Sequence, residues 1–257
     1  NIDSWINWCD VNDNNDKVVL STSAYEIRPD MKYRDTMYLI DKKTGQLINS
    51  IEVPPVAPFE NTVMRGSPNF SEDGEFLAAA CSDGRGMLFD AAGKVLWQRE
   101  LSKPAQIDNV WINASGRDGF AAEAGVIFTT INTFNRENWQ LPTPVEHPSN
   151  NSMFVFNYDG TFKYKYRALG TMEQIDFSNN MAACAVGRNV RTHNYAAHGA
   201  VVLDLNDGTE LNFFHTEGPL QAVAISSNGK KIAGIEAPAV TPEGKIIGAY
   251  RLHIWQR

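Results

Sequence analysis

Few residues of this 257-residue sequence have the types and spacing that chemistry requires. Asp108 and Glu173 are the carboxylates that we expect to lie near each other, because they occupy matching positions in neighbouring repeats of the chain. Two close carboxylates either hold a cation or share a proton. The sequence contains no serine-hydrolase, zinc-protease or phosphate-loop motif. Catalysis is therefore the less favoured interpretation, and whether the protein is an enzyme stays open.

Histidine and cysteine give weaker signals. His193 and His198 lie five residues apart and could bind a metal ion together with His147, but no carboxylate or cysteine pattern accompanies them. The sequence thus predicts no metal site and identifies no cofactor. Each of the three cysteines lies in a run of apolar or small residues, and we expect them to be buried thiols. They are Cys9, Cys81 and Cys184.

The overall charge limits the classes of partner. Acidic residues outnumber basic residues 30 to 23, which gives a net charge of -7. A general nucleic-acid binder needs clustered Lys and Arg, so we expect no nucleic-acid partner. No run of about 18 apolar residues occurs, and we expect no membrane-spanning segment in this chain. The unpaired cysteines would fit a reducing compartment, so the location stays unknown.

One strand-turn-strand pattern occurs four times. The copies are "MYLIDKKTGQLINSI", "GMLFDAAGKVLWQRE", "MFVFNYDGTFKYKY" and "VVLDLNDGTELNFF". Each copy has an Asp or Asn that can cap a turn through its side chain, followed by a Gly that can adopt positive φ. The turn-capping residues are Asp41, Asp90, Asn157 and Asp204, and the glycines are Gly45, Gly93, Gly160 and Gly208. The pattern predicts a hairpin in each copy.

A second pattern precedes each copy of the first: an apolar residue, a polar turn such as "SGRDG" after Ile112, and a strand rich in Ala and Gly. The chain therefore divides into five units of four short strands. Such units cannot bury both of their faces alone and stack around an axis, which predicts an all-β fold, a β-propeller of about five four-stranded blades. The final "YRLHIWQR" ends before a fourth strand, so the last blade lacks its outer strand, and the chain could be part of a larger ring. We place the blades at about 1–57, 58–103, 104–168, 169–217 and 218–257.

These repeats resemble those of known propeller families. "SEDGEFLA" and "SSNGKKIA" are similar to the turn of WD-like repeats, and "LFDAAGKVLWQREL" is similar to a strand pair of quinoprotein-like, PQQ-type repeats. The resemblance covers nearly the whole chain and implies the fold, a bacterial style of repeat and, slightly, a periplasmic location. It implies no single activity, because such repeats serve scaffolds, ligand binders and dehydrogenases. The Trp-Asp and Gly-His pairs of true WD repeats are absent.

The long insertions all fall on one face of the predicted ring, called the top face. They follow the second strand of units one, three, four and five, and the linker "VPPVAPFENTVMRG" joins the same face. Long loops in a compact domain are commonly functional, and Trp, Tyr and Arg are favoured as interface anchors. The expected partner-binding residues are Tyr25, Arg28, Tyr33, Trp139, His147, Arg188, Arg191, His193, Tyr195 and His198.

A polar column is expected at the mouth of the axial channel. Aligning the units on Val11, Phe70, Ile112, Phe177 and Ile225 places the column four residues earlier. Its members are Asn7, Gly66, Asp108, Glu173 and Gln221. The four polar members are candidate ligands for a small molecule or cation, or they simply line a wet channel.

Two functions follow from the sequence. The favoured one is a non-catalytic interaction module whose top-face loops bind a protein partner. The alternative is a propeller that binds a small ligand or cation at the axial mouth, as a sensor or as a quinoprotein-like or glycosidase-like enzyme.

Overall fold

A computed structural model describes residues 5–23, 36–59, 62–107, 110–134, 145–187, 197–241 and 243–257. These residues are all-β, with no α-helix among them. Nor do the described segments contain any helix with the length and apolar character needed to cross a membrane. The chain forms two compact units. Unit one is Asn1–Asn138 with Glu146–Lys163, and unit two is Trp139–Val145 with Tyr164–Arg257.

Antiparallel sheets follow one another in chain order, and all but sheet five are built from consecutive strands. Sheet one contains β1 (Trp5–Asn12), β2 (Lys17–Ser23), β3 (Thr36–Asp41) and β4 (Leu47–Glu52). Sheet two contains β5 (Asn69–Phe70), β6 (Phe76–Ala80), β7 (Arg85–Asp90) and β8 (Val95–Glu100). Sheet three contains β9 (Ala105–Ile107), β10 (Val110–Ala122), β11 (Gly125–Phe134), β12 (Ser152–Phe156) and β13 (Phe162–Arg167).

The remaining sheets complete the chain. Sheet four contains β14 (Met172–Ser178), β15 (Met181–Val186), β16 (Gly199–Asp204) and β17 (Glu210–His215). Sheet five contains β18 (Leu220–Ile225), β19 (Lys231–Glu236) and β22 (Arg251–Gln256). A separate hairpin pairs β20 (Ala239–Val240) with β21 (Ile246–Ile247). Within the described ranges, sheet five thus has three strands and β22 forms its edge.

The predicted hairpin turns are confirmed. Gly45, Gly93, Gly160 and Gly208 have φ values of 68°, 86°, 82° and 80°. The side chains of the capping residues act as expected, since an Asp41 Oδ1 accepts from the N–H of Thr44 at 2.7 Å. Asp90 and Asp204 cap their turns in the same way. Asn157 instead donates from its side-chain amide to the Thr161 hydroxyl, at 2.7 Å.

The core lies between the faces of neighbouring sheets. Some central strands are buried on both faces; β12 and the end of β15, for example, are buried residue after residue. Small residues in second strands bring sheets close together. In unit one, Leu77 and Ala79 of sheet two pack against Val19 and Leu39 of sheet one, together with Met37.

The turn expected at "SGRDG" in the third repeat does not form. Strand β10 continues through this sequence to Ala122 and turns at residues 123–124. Gly116 and Gly119 flank a β-bulge instead of a turn, and neither has positive φ. The insertion of the third repeat therefore follows Phe134, where β11 ends.

The expectation of three buried thiols is also corrected. Cys81 and Cys184 are buried, but Cys9 is exposed. It lies on β1, on a side of sheet one that other side chains leave largely open. The sequence around Cys9 is apolar although several of the large side chains of β1 are exposed, so an apolar run did not indicate burial here.

Candidate interaction surface

Each sheet has a loop end, where its inner strand begins and where the connection between its second and third strands lies. The described loop-end segments are residues 53–59, 62–68, 101–104 and 146–151 in unit one, and residues 168–171, 216–219, 237–241 and 243–250 in unit two. Most of the expected partner-binding residues lie outside the described residues. They are Tyr25, Arg28, Tyr33, Trp139, Arg188, Arg191, His193 and Tyr195.

The two described histidines of that set are buried. His147 is 6% exposed, accepts a hydrogen bond at Nδ1 from the N–H of Ser149 and donates from Nε2 to the carbonyl of Lys103. His198 is similarly covered, and its Nδ1 lies 3.1 Å from the carbonyl of Glu217. Both rings hold loops in place, so the structure does not present them to a partner. Polar tethering of a loop gives no sequence signal that separates it from surface exposure.

The insertion of the fifth sequence repeat forms a short hairpin, which lies at the loop end of sheet five in unit two. Ala239 and Ile247 face inward and are buried, whereas the opposite pair, Val240 and Ile246, is 61% and 68% exposed. Tyr250 follows the hairpin and is 84% exposed. Two large side chains of the hairpin and one that follows it are therefore exposed to solvent close together in sequence, which is the pattern of an interface anchor.

Glu236 fixes the base of this hairpin. Its side chain is fully buried, and Oε1 accepts hydrogen bonds from the N–H groups of Gly218 (2.8 Å) and Ala249 (3.3 Å). Oε2 accepts from Nε2 of His253 at 2.6 Å and lies 3.6 Å from the Arg251 guanidinium. Burial alone would raise the pKa of the Glu236 carboxyl, but these donors outweigh burial and hold the pKa below its ordinary value.

Glycine is required beside Glu236. Gly248 has a φ of 68°, and a Cβ at this position would meet the Glu236 carboxylate and the backbone of Gly218. The strand connection therefore folds tightly around one buried charge. The apolar hairpin consequently projects from a rigid base and not from a loose loop.

In unit one, an ion pair fixes the linker between sheets one and two. The Arg85 guanidinium donates to the carboxylate of Asp83 (2.6 Å from Nη2) and to the carbonyl of Pro54 (2.7 Å). Burial would lower the pKa of Arg85, but the Asp83 partner outweighs it and raises the pKa. A cavity of about 350 Å³ lies beside the pair, and Val56, Phe59, Gln98, Arg99 and Lys103 contribute to its lining. Because Arg85 donates to Asp83, to Gln98 and to the carbonyl of Pro54, the ion pair holds the linker in place.

The polar column has an unexpected structural basis. Asn7, Glu173 and Gln221 are each the extra residue of a β-bulge in an inner strand. A bulge re-aims its side chain and is common beside functional sites. Asn7 lies in unit one, whereas Glu173 and Gln221 lie on the neighbouring inner strands β14 and β18 of unit two.

Asp108 lies outside the described residues. The bulge of the third inner strand falls instead at Arg117 and Asp118. The Asp118 carboxylate accepts from the Thr129 hydroxyl at 2.8 Å, and its backbone bridges to Gly66. The alignment that selected Asp108 thus relied on a turn in the third sequence repeat that the structure does not contain. Among the described residues, no group of three or more His, Cys, Asp or Glu side chains is placed to hold a metal ion.

Comparison with known proteins supports the fold. No protein-family model and no curated protein matches the sequence. The structure is similar to the Cps50 (Swd1) β-propeller domain of Myceliophteria thermophila, with a TM-score of 0.52 and 11% identity, over 100% of this chain and 71% of that one. It is similar to Raptor of Chaetomium thermophilum (TM-score 0.56, 11% identity, 97% of this chain, 19% of that one).

It is also similar to hydrazine synthase of Kuenenia stuttgartiensis, with a TM-score of 0.59 and 10% identity, over 99% of this chain and 64% of that one. The chain thus spans less than two thirds of the length of Raptor and of the synthase. These likenesses support a β-propeller fold. They carry no activity to this chain, since one fold serves many functions.

Proposed function

We propose that this protein is a non-catalytic interaction module whose loop-end surface binds a protein partner. The carrying observation is the β20–β21 hairpin, on which Val240 and Ile246 are exposed, followed by the exposed Tyr250, while Glu236 fixes the base of the hairpin. A rigid apolar anchor loses little conformational entropy on binding, which favours affinity.

The architecture that we propose for the module has five blades. Sheets one to five follow chain order and correspond to the repeats, and the three-stranded sheet five is the incomplete last blade. The packing of sheet four on sheet five, and of sheet one on sheet two, supports this arrangement. Relatedness to PQQ-type repeats rests only on the sequence resemblance.

The test replaces the anchor without disturbing its base. Val240→Ser with Ile246→Ser keeps the hairpin length and removes both exposed side chains. Ile48→Ser, at an exposed site on β4, is the matched control. Proteins recovered with the tagged wild-type chain are compared quantitatively with those recovered by each variant, and the selected partner is then titrated in purified form.

We expect the double variant to lose at least about tenfold in affinity for that partner, corresponding to about 1.4 kcal/mol, while the control retains it. Equal binding by the wild-type chain and the double variant would refute the anchor. A partner lost equally with Ile48→Ser would show that binding is only nonspecific attraction to exposed apolar surface.

A second candidate function is ligand binding by the bulge residues. The observation that favours it is that Glu173 and Gln221 occupy equivalent bulges on neighbouring strands of unit two. Thermal shifts with Ca²⁺, sugars and quinones test this idea, with Glu173→Gln as the variant and Glu210→Gln as a surface control. An additive that raises the midpoint of the wild-type chain and the control, but not that of Glu173→Gln, would support it. No shift with any additive would refute it.

A further inference from the structure

The cavity beside the Asp83–Arg85 ion pair lies wholly within unit one. Its volume of about 350 Å³ is enough for a small organic molecule. One part of its lining is the linker that follows sheet one, and another part is the end of β8 with the segment after it. The linker part is apolar, whereas the other part is mostly polar or charged. The cavity therefore offers two different kinds of contact to one ligand.

The apolar part of the lining is held in place by the rest of unit one. Val56 and Phe59 line the cavity, and the N–H of Phe59 donates to the carbonyl of Val56 at 2.9 Å. The N–H of Val56 donates to the Asp83 carboxylate at 3.3 Å, and Arg85 donates to the carbonyl of Pro54 at 2.7 Å. Because the linker backbone is held at both points, ligand binding would order little of it, and less conformational entropy opposes binding.

The polar part of the lining has N–H donors that lack acceptors. Arg85 is 8% exposed, and its Nη1 makes one hydrogen bond, to Oε1 of Gln98 at 3.3 Å, although Nη1 carries two N–H groups. Gln98 uses its amide oxygen in that bond, and across the described ranges its side-chain N–H groups have no acceptor. Both residues line the cavity. A ligand with oxygen acceptors would satisfy these donors.

The charges that line the cavity leave one positive charge unmatched. The cations are Arg85, Arg99 and Lys103, and the anions are Asp83 and Glu100. Three positive and two negative charges give the lining a net charge of +1, in a chain whose net charge is -7. Asp83 pairs with Arg85 at 2.6 Å, and Glu100 pairs with Lys103 at 3.4 Å. The unmatched cation is therefore Arg99.

Arg99 has no ion-pair partner in the part of the chain that the structure describes. Its Nε donates to the carbonyl of Gly160 and its Nη1 to the carbonyl of Gln98, both at 2.8 Å. Its guanidinium carbon also lies 5.4 Å from the centroid of the Trp97 ring. The pKa of the exposed Asp159 is lowered mainly by hydrogen bonds from Thr161 and only to a lesser extent by Arg99. The side chain of Arg99 is thus held by neutral groups, and its charge can act on a ligand.

We propose that this cavity binds a monocarboxylate that is attached to an apolar group. The donors of Arg85 and Gln98 hold the carboxylate in the field of Arg99, and the apolar group packs on Val56 and Phe59. A carboxylate supplies oxygen acceptors and a single negative charge, which match the lining. A phosphate would bring a second negative charge close to Asp83 and Glu100 that no group of the lining neutralises.

Two sources carry this chemistry, a free apolar acid and the carboxyl-terminal residue of another chain. The site is separate from the β20–β21 hairpin and from the bulge residues. The inference therefore does not depend on the proposed function.

The first test compares three small ligands on the full wild-type chain by NMR titration. The probe is 3-phenylpropionate; 3-phenylpropionamide removes its charge, and acetate removes its apolar group. We expect the acid to bind at least about tenfold more tightly than either control, the effect of a charge-assisted hydrogen bond together with apolar burial. The largest shifts should fall on Val56, Phe59 and the side-chain amide of Gln98. No binding of the acid, equal binding of acid and amide, or shifts confined to other residues would overturn the proposal.

The second test changes one donor of the site. Gln98→Glu keeps the length of the side chain and an oxygen for Nη1 of Arg85, but it places a negative charge beside the bound carboxylate. Gln46→Glu makes the same change at an exposed turn outside the cavity and is the matched control. We expect Gln98→Glu to weaken binding of 3-phenylpropionate at least about tenfold and the control to change it less than about twofold. Equal affinity of the two variants would contradict the site.

The third test distinguishes the two sources of the carboxylate. An acetylated tripeptide that ends in phenylalanine is titrated with a free carboxyl terminus and, as its control, with a carboxamide terminus. Tighter binding of the free-terminus peptide than of 3-phenylpropionate would identify the carboxyl terminus of another chain as the ligand. Tighter binding of 3-phenylpropionate would identify a free acid, and either result supports the proposal. Equal binding of the two peptides, at an affinity matching that of 3-phenylpropionate, would show that the carboxylate is not recognised and would overturn it.

Discussion

Nε1 of Trp97 donates a hydrogen bond to the carbonyl of Tyr158 across neighbouring sheets of unit one, at 2.8 Å. The hydroxyl of Tyr164 donates in the same way to the carbonyl of Leu205 in unit two, at 2.9 Å. In both cases the donor lies on an outer strand, and the acceptor follows the Asp or Asn of the next sheet's turn. The repeated turn therefore also accepts a hydrogen bond from the preceding sheet, which links the two sheets.

Replacing Trp97 with Phe should remove the hydrogen bond to Tyr158 and weaken the link between the two sheets. The ring packing with Phe156 and Phe128 is largely kept, whereas the hydrogen bond is lost. We expect the free energy of unfolding to fall by about 1 kcal/mol in urea denaturation. Trp111→Phe, at a half-exposed site, is the control and should change it by less than about 0.5 kcal/mol. An equal effect of the two variants would mean that ring size, and not the hydrogen bond, matters.

Removing the hydrogen bond between the Asp176 carboxylate and the N–H of Ile225 should destabilise the packing of sheet four on sheet five. Asp176→Ala leaves the N–H of Ile225 without its acceptor, and we expect a loss of about 1–3 kcal/mol in the free energy of unfolding. Asp176→Asn retains an acceptor and should recover most of the loss. Urea denaturation of the three chains provides the measurement. Equal stability of the Ala and Asn variants would contradict the role of the acceptor.

Glycine at position 116 should be required for the packing of sheet three on sheet two. The N–H of Gly116 donates to the carbonyl of Cys81 at 3.0 Å, and a Cβ would clash with that same backbone. We expect Gly116→Ala to lower the free energy of unfolding by about 1–3 kcal/mol, because overpacking forces the sheets apart. Thermal denaturation provides the measurement, and an unchanged midpoint would show that the sheets separate without cost.

Stability should depend on pH through Glu236. Its pKa is lower in the folded protein than its ordinary value of 4.5, so its contribution is complete above about pH 4.5. As the pH falls through the folded-state pKa, the carboxyl is protonated and this contribution is lost. Thermal midpoints measured between about pH 3 and pH 6 should therefore vary less for Glu236→Gln than for the wild-type chain. Glu217→Gln, an exposed carboxylate, should leave the profile unchanged.

The local turn chemistry was readable because it is local. An Asp followed by a Gly three or four residues later both caps a turn and supplies positive φ, so Asp90 and Gly93 predict their hairpin without further information. The same reasoning failed at Gly116. That glycine serves the close approach of another sheet, and a turn glycine and a packing glycine are identical in a sequence.

The sequence by itself determined the all-β repeats, their hairpins and the register that aligns Val11 with Phe70 and Ile225, since these depend on side chains a few residues apart. Tertiary structure decided which groups are available. It buried His147, exposed Cys9 and placed Glu173 and Gln221 in bulges. The exposure of a side chain and its hydrogen bonds to other sheets depend on which sheets pack together. Residues about 50 positions apart, such as Asp176 and Ile225, become hydrogen-bond partners only when their sheets pack.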